Sequence, residues 1–391
     1  RALTYNKDLK IASARMNELA ALKRIDFANM FPQATARLNG NRETTNYGGD
    51  NFDADPELSL TASISWELDL WGNLRWARDH STAGFLASVE NCRAVKMGLV
   101  AQVAQSYFEL MALDNELAIV RRTLEARREG VRLAEIRFKG GLTSEIVFQQ
   151  AKVELAKTAT MVPDLERRIS LKESEIALLT GDFPYAVNRN VLPEEIQLPD
   201  ALPLGLPSTL LERRPDIRKA ERELMAAHAE VGLAYTNMFP RLALTATLGA
   251  ESETLRDLLK SPYSYLAGNL LSPLFAMGKN RAALKAKRAA YEGAVAEYEK
   301  TVLTAFKETH DAIINFNKIK DIYESRRQLA EASRTAVELA QLQYINGVIG
   351  YLDLLDAQRN YFDAQVSLSN AVCNKQLMII NLYKALGGGW K

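Results

Sequence analysis

A chain of 391 residues with 49 Lys plus Arg against 48 Asp plus Glu has room for two or three domains. Its net charge of +1 offers no basic stripe for nucleic acid. The two cysteines, Cys92 and Cys373, imply no disulfide framework, and no run approaches the roughly 18 apolar residues of a transmembrane helix.

The first predicted element is a short helical run ending at Asn29-Met30-Phe31-Pro32-Gln33. That phrase returns as Asn237-Met238-Phe239-Pro240-Arg241. Gly72, Gly141 and Gly181 likewise have counterparts in Gly278, Gly347 and Gly387. The chain is therefore expected to hold two tandem structural repeats, 8–181 and 208–387.

After the short helix the apolar period changes to two. Leu58, Leu60, Ala62, Ile64, Trp66, Leu68 and Leu70 alternate with Ser59, Thr61, Ser63, Ser65, Glu67 and Asp69, which predicts a strand with one apolar face. Ala34, Ala36, Leu38 and Gly40 make a weaker partner, giving a hairpin over about 32–70. The polar join 41–56 is expected to be a loop. A half-exposed sheet in a soluble protein shows the same alternation. The polar face here, however, is small and hydroxylic, and Trp66 and Trp71 stand near one strand end like an interfacial girdle.

Residues 73–139 contain no proline and carry Val95, Leu99, Val103, Tyr107, Leu110, Leu113, Leu117, Val120 and Leu124 at spacings of three and four. A helix of that length would reach on the order of 100 Å. It ends at Gly140-Gly141, and a return helix follows over 144–180. A proline-rich linker occupies 182–207. The second repeat predicts a hairpin over about 240–275, whose return strand near 263–274 is irregular at Gly268 and Pro273. A long helix over about 279–345 and a return helix over 351–386 complete it. Four strands cannot close a barrel, and an open edge cannot sit in lipid, so membrane strands would require several chains to share one barrel.

Specific phrases carry a resemblance. Asp69-Leu70-Trp71-Gly72 closes the first hairpin, and Pro273-Leu274-Phe275 closes the second. Leu210-Leu211-Glu212-Arg213-Arg214-Pro215-Asp216-Ile217 opens the second repeat. Leu382-Tyr383-Lys384-Ala385-Leu386-Gly387-Gly388-Gly389-Trp390 ends the chain. With the paired Phe-Pro turns, these resemble the outer-membrane factor family of tripartite efflux systems, the TolC-like ducts, in its OprM/NodT lipoprotein branch. The resemblance implies an α+β membrane protein: a homotrimer with a 12-stranded β-barrel in outer-membrane lipid, continuous with a long periplasmic α-helical barrel. It implies passive export of drugs and toxic compounds, docked to a periplasmic adaptor protein and an inner-membrane efflux transporter. The linker 182–207 would contribute to an equatorial belt. No cofactor and no metal are implied.

The resemblance also directs attention to Gly350-Tyr351-Leu352-Asp353-Leu354-Leu355-Asp356, after the Gly347 turn. Asp353 and Asp356 share one helix face, so threefold symmetry would stack carboxylate rings above an apolar constriction at Leu352. Without the resemblance, both carboxylates simply suit a helix N-terminus. Tyr344 matches a position that latches neighbouring helices at the closed tip. Val147 stands where many relatives have Asp, so a latch from Tyr344 to a first-repeat carboxylate is either lost or re-routed through Glu145. Enzyme signatures are missing: His80, His228 and His310 are isolated, and Gly278-Lys279 lacks the rest of a phosphate loop. The rival reading is a soluble or periplasmic coiled-coil scaffold or adaptor.

Overall fold

The structure, a computed structural model, describes residues 1–45, 53–189, 212–273 and 275–388. The elements are α1 (Ala2–Tyr5), α2 (Lys7–Ala28), β1 (Gln33–Thr45), β2 (Asp53–Leu68), α3 (Asn73–Lys139) and α4 (Glu145–Thr180). There follow α5 (Pro215–Thr236), β3 (Arg241–Ser252), a 3-10 turn (Leu258–Lys260), β4 (Pro262–Leu271), α6 (Lys279–Ile345) and α7 (Tyr351–Ala385). Most of the chain is helical, beside one antiparallel sheet in the order β1-β2-β3-β4. Residues 190–207 of the predicted linker, with Leu210, Leu211, Leu274, Gly389 and Trp390, lie outside the described residues.

Two compact units form, and both draw on both sequence repeats. One comprises Arg1–Ala12, Cys92–Pro215 and Val302–Lys391; the other comprises Ser13–Asn91 and Asp216–Thr301. The duplication thus repeats an order of elements without marking a folding boundary.

In the first unit the three-and-four spacing of α3 buries Leu110, Leu113, Leu117 and Val120 against Leu165, Ile169 and Ile176 of α4. A second cluster joins Ala312 of α6 to Leu382 and Ala385 of α7. Arg214, also buried, ties this region together: it pairs with Glu308 at 2.6 Å and donates to the Ala385 carbonyl at 3.1 Å. Arg189, at the start of the linker, pairs with Asp114 at 2.6 Å and Glu173 at 2.8 Å.

All four long helices end in one motif. The amide two or three residues past the helix reaches back five positions: Leu142 to Arg137, Asp182 to Ala177, Val348 to Gln343 and Gly388 to Tyr383. The glycine before each has positive φ, between 70° at Gly141 and 88° at Gly387. At Gly181 (φ 74°) a Cβ would also stand 2.4 Å from the Tyr5 carbonyl oxygen. Gly181→Ala is therefore expected to destabilise the unit by about 2–3 kcal/mol, through left-handed strain plus a backbone collision. A denaturant melt checks it, and a loss under ~0.5 kcal/mol would remove the collision argument.

In the second unit, register sorts the sheet into two unlike faces. Ala34, Ala36 and Leu38 pair with Ile64, Ala62 and Leu60, which continue into Ala246, Leu248 and Ala250. The other face carries Thr35, Arg37 and Asn39 beside Ser63, Thr61 and Ser59. On the apolar face Leu38 is 64% exposed, Ile64 53%, Leu248 68% and Leu266 79%, while Ala250 is buried. On the other face the two middle strands are sheltered, with Thr61 and Ser63 half-buried and Thr247 buried, whereas Thr35, Arg37 and Asn39 of β1 are exposed. This is a sheet built inside out relative to a water-soluble one.

Three expectations need correction. The join 41–56 is not all loop, because the ladder continues from Thr45↔Asp53 inward. Strand pairing persists there by backbone bonding after the apolar alternation has stopped. The first hairpin ends at Leu68 rather than 70, since the Asp69 carboxylate accepts the Leu74 and Arg75 amides, both at 3.0 Å, and caps α3. The irregular return strand is regular, pairing from Pro262 through Leu271 with β3. Its own alternation is weak because Tyr263 and Tyr265 stand on the polar face. Trp66 and Trp71 lie at the base of the sheet, where their indole N–H groups donate to the Met30 and Pro240 carbonyls at 3.0 and 2.8 Å.

Candidate functional site at the helical turns

The sequence places its candidate residues around two turns, 140–144 and 346–350, which join α3 to α4 and α6 to α7. Glycine at 141 and 347 lets each helix stop within one residue, so the next helix starts beside it. Leu352 is exposed in the first turn of α7. Asp353 folds back, its carboxylate accepting the Gly350 amide at 3.0 Å, which is the helix-capping role available to any acid at that position. Asp356 is exposed and pairs with Arg359 at 3.4 Å. Tyr344 is buried at the end of α6, with the Arg137 guanidinium 4.7 Å from its ring centre and Tyr351 edge-on at 5.8 Å. Glu145 is exposed in the first turn of α4 and accepts from Gln149 at 3.3 Å. Within one chain, then, Tyr344 meets Arg137, and Glu145 meets Gln149.

Two turns deeper lies a cluster that periodicity reasoning passed over. Glu154, only 5% exposed at its side chain, receives Arg359 at 2.6 Å, Arg127 at 3.1 Å and Lys157 at 3.2 Å. Arg127 also donates to the Glu154 carbonyl at 2.8 Å and to Thr158, and lies over the Phe362 ring at 5.8 Å. The cluster fastens α7 to α4 and α3. Burial by itself would push the Glu154 carboxyl up. The hydrogen bonds from Arg359 and Lys157 and the charge of Arg127 outweigh it and hold the group below its ordinary range. Burial lowers Arg127, opposed by the charge of Glu154. Burial also raises the Tyr351 phenol, helped by Tyr344 and Glu154.

A signal for this cluster was available in the sequence. Arg127 follows Leu117, Val120 and Leu124 at the spacing of the apolar stripe, and Glu154 stands on the same face of α4 as Ala151, Thr158 and Leu165. A charge in core register demands an opposite charge. No group of residues able to hold a metal ion occurs among the described residues, and no described helix is long and apolar enough to cross a membrane.

Comparison with known proteins bears on what such turns serve. A family model described as "Outer membrane efflux protein" matches residues 1–182 and 206–388. The solvent efflux pump outer membrane protein SrpC of Pseudomonas putida is 33% identical over 398 residues, covering 100% of this chain and 84% of that protein. The outer membrane protein OprJ of Pseudomonas aeruginosa is 32% identical, covering 100% and 83%. Among solved structures, the outer-membrane channel OprN superposes with a TM-score of 0.91 at 30% identity, covering 100% of this chain and 88% of the other.

Proposed function

Because this chain belongs to the outer membrane efflux protein family, we propose that three copies close one twelve-stranded barrel in the outer membrane of a Gram-negative bacterium. The long helices continue it as a periplasmic tube, and the assembly is the exit duct of a tripartite efflux pump. The observation that carries this reading is the inside-out sheet. Exposed Leu, Ile and Trp on one face suit lipid, while the sheltered hydroxyl groups suit a water-filled lumen. Among the described residues β1 and β4 each pair on one side only, so head-to-tail pairing between copies is the way to leave no edge in lipid. A soluble or periplasmic scaffold would leave that face in water, and the family assignment removes it. Small molecules, drugs and toxic compounds among them, pass without catalysis or an energy source in this chain. A periplasmic adaptor and an inner-membrane transporter deliver them. Light scattering corrected for bound detergent is expected to return three chains per particle; one or two would overturn the shared barrel.

Leu352, Asp353 and Asp356 form the gate in this reading, with Tyr344 and Glu145 as the latch across neighbouring helices. The cluster at Glu154 braces the same turn from within one chain. Changing Asp353 and Asp356 together to Asn keeps an acceptor for the Gly350 amide while removing charge. The double variant should conduct more at rest and lose about tenfold in block by multivalent cations, the scale of ~1.4 kcal/mol for a partly screened charge pair. Planar-bilayer recordings with unchanged block would reject the gate assignment.

A further inference from the structure

The internal duplication holds a template for the junction that a single chain leaves unmade. Counterparts lie 208 residues apart from β1 to β3, as in Gln33 and Arg241, and 206 apart from β2 to β4, as in Ser65 and Leu271. Under that mapping the two hairpins share one register, since Gln33↔Ser65 becomes Arg241↔Leu271. The β2–β3 ladder is thus an interface between repeats, and its continuation is the meeting of β4 with the β1 of another copy.

Carried across by the same mapping, Ile64↔Ala246 becomes Leu270 opposite Leu38 of the next copy, and Ser63↔Thr247 becomes Asn269 opposite Asn39. Residues 263–271 then face 37–45, all within the two strands. The faces agree: Leu38 and Leu270 are 64% and 67% exposed on the apolar side, while both asparagines stand on the polar side. A slip of one residue would turn the apolar set of β1 toward the polar face. A slip of two keeps the faces but shifts the strands by about 7 Å.

At the base of the sheet a second observation chooses between these even registers. Trp71, just past β2, stacks on Phe239 at 5.0 Å, and Tyr235 meets the same ring edge-on at 5.2 Å. The counterparts of Phe239 and Tyr235 are Phe31 and Phe27, again edge-on, at 5.1 Å. Yet Phe31 is 52% exposed, whereas Phe239 is half-buried beside its indole. The counterpart of Trp71 is Met277, which follows β4 and so belongs to the opposite edge of the sheet from Phe31. A turn closed by the Lys279 amide on the Ala276 carbonyl at 2.8 Å presents Met277, 85% exposed. Its φ of 44° is the one positive value outside glycine among the described residues. Strain of that kind persists where a contact fixes it.

We propose that Met277 of one copy packs on Phe31 of the next, completing there the aromatic cluster that Trp71 completes within the chain. The contact sets the β4–β1 register, with Leu270 opposite Leu38. A flexible thioether against a ring suits a joint made between separate chains. This seam presupposes the shared barrel proposed above, and adds which residues meet across it.

The test is disulfide trapping in the detergent-solubilised full chain. Directly opposed residues lie within bridging distance, whereas positions two residues off are about 7–8 Å away and are not. Oxidised Asn39→Cys/Asn269→Cys protein is expected to run as covalent trimer on denaturing gels. Arg37→Cys/Asn269→Cys and Asn41→Cys/Asn269→Cys should run as monomer, as should the unaltered chain with its Cys92 and Cys373. Linking at an offset pair, or no linking, in particles that light scattering shows to hold three chains overturns the seam and leaves the shared barrel standing. Particles of one or two chains overturn both. Met277→Gly gives an independent reading, because glycine accepts the positive φ and removes only an exposed side chain from the single chain. It should lower the temperature at which trimer dissociates on gels, and in a Phe31→Ala background it should lower it no further. An unchanged dissociation temperature in Met277→Gly overturns the Met277 contact.

Discussion

Glu154→Gln is expected to destabilise the helical unit by about 3–5 kcal/mol at neutral pH, since it leaves the Arg127 charge buried without its counter-ion. The partly exposed Arg359 and the exposed Lys157 lose contacts worth little by comparison. The effect has a pH signature. The Glu154 carboxyl is held below its ordinary value, so its contribution is fully present above the unfolded carboxylate pKa of about 4.3 and fades as pH falls through the lower folded value. Unfolding midpoints of the unaltered and Gln proteins should thus differ widely at pH 7, and the gap should begin to close once the pH falls below the unfolded carboxylate value of about 4.3. A gap that stays constant down to pH 3 would mean that Glu154 acts by shape rather than by charge. The same variant releases α7 from α4, and in a bilayer it is expected to raise resting conductance.

The second large effect concerns the sheet. Ile64→Arg places a charge on the exposed apolar face, at a cost of about 2–4 kcal/mol per site near the middle of a bilayer. In the proposed barrel of three copies that cost is multiplied, and assembly into the outer membrane should fail. Ser63→Arg, one residue away on the hydroxylic face, should assemble, because in the proposed barrel that face meets water. Heat-modifiable trimer on gels of membrane fractions distinguishes them; equal assembly of both variants would remove lipid from the account.

How much of this was legible beforehand depended on which force wrote the pattern. Burial and lipid write periodicity. The run 58–70 therefore displayed its two faces, and the stripe through Leu110, Leu117 and Leu124 displayed the helix core. Backbone pairing writes none, so Asn41–Thr45 looked like loop although the ladder continues through it. Capping is local and chemically ambiguous. Asp69 read as the end of a strand and proves to hold the start of α3, and Asp353 holds the start of α7. Arg127 and Glu154 were hidden because each looks surface-like alone. They make sense only once α3 and α4 face each other, although their register on the two apolar stripes marked them. Tyr344 could be singled out only through the family resemblance, since its neighbours Arg137 and Tyr351 come from other helices.

The β2–β3 pairing has a consequence for how the chain must be made. Partners such as Leu60 and Ala250 are separated by about 190 residues, so bringing these strands together costs about 4–5 kcal/mol of chain entropy before any ladder bond repays it. A nascent chain exposes Leu38, Leu60 and Ile64 long before β3 has been synthesised. Topology of this kind folds slowly, and an unfinished apolar hairpin in water is a seed for aggregation. The first hairpin consequently needs a holding partner throughout its passage to the membrane, and shortage of that partner should damage this protein through its first repeat before its second.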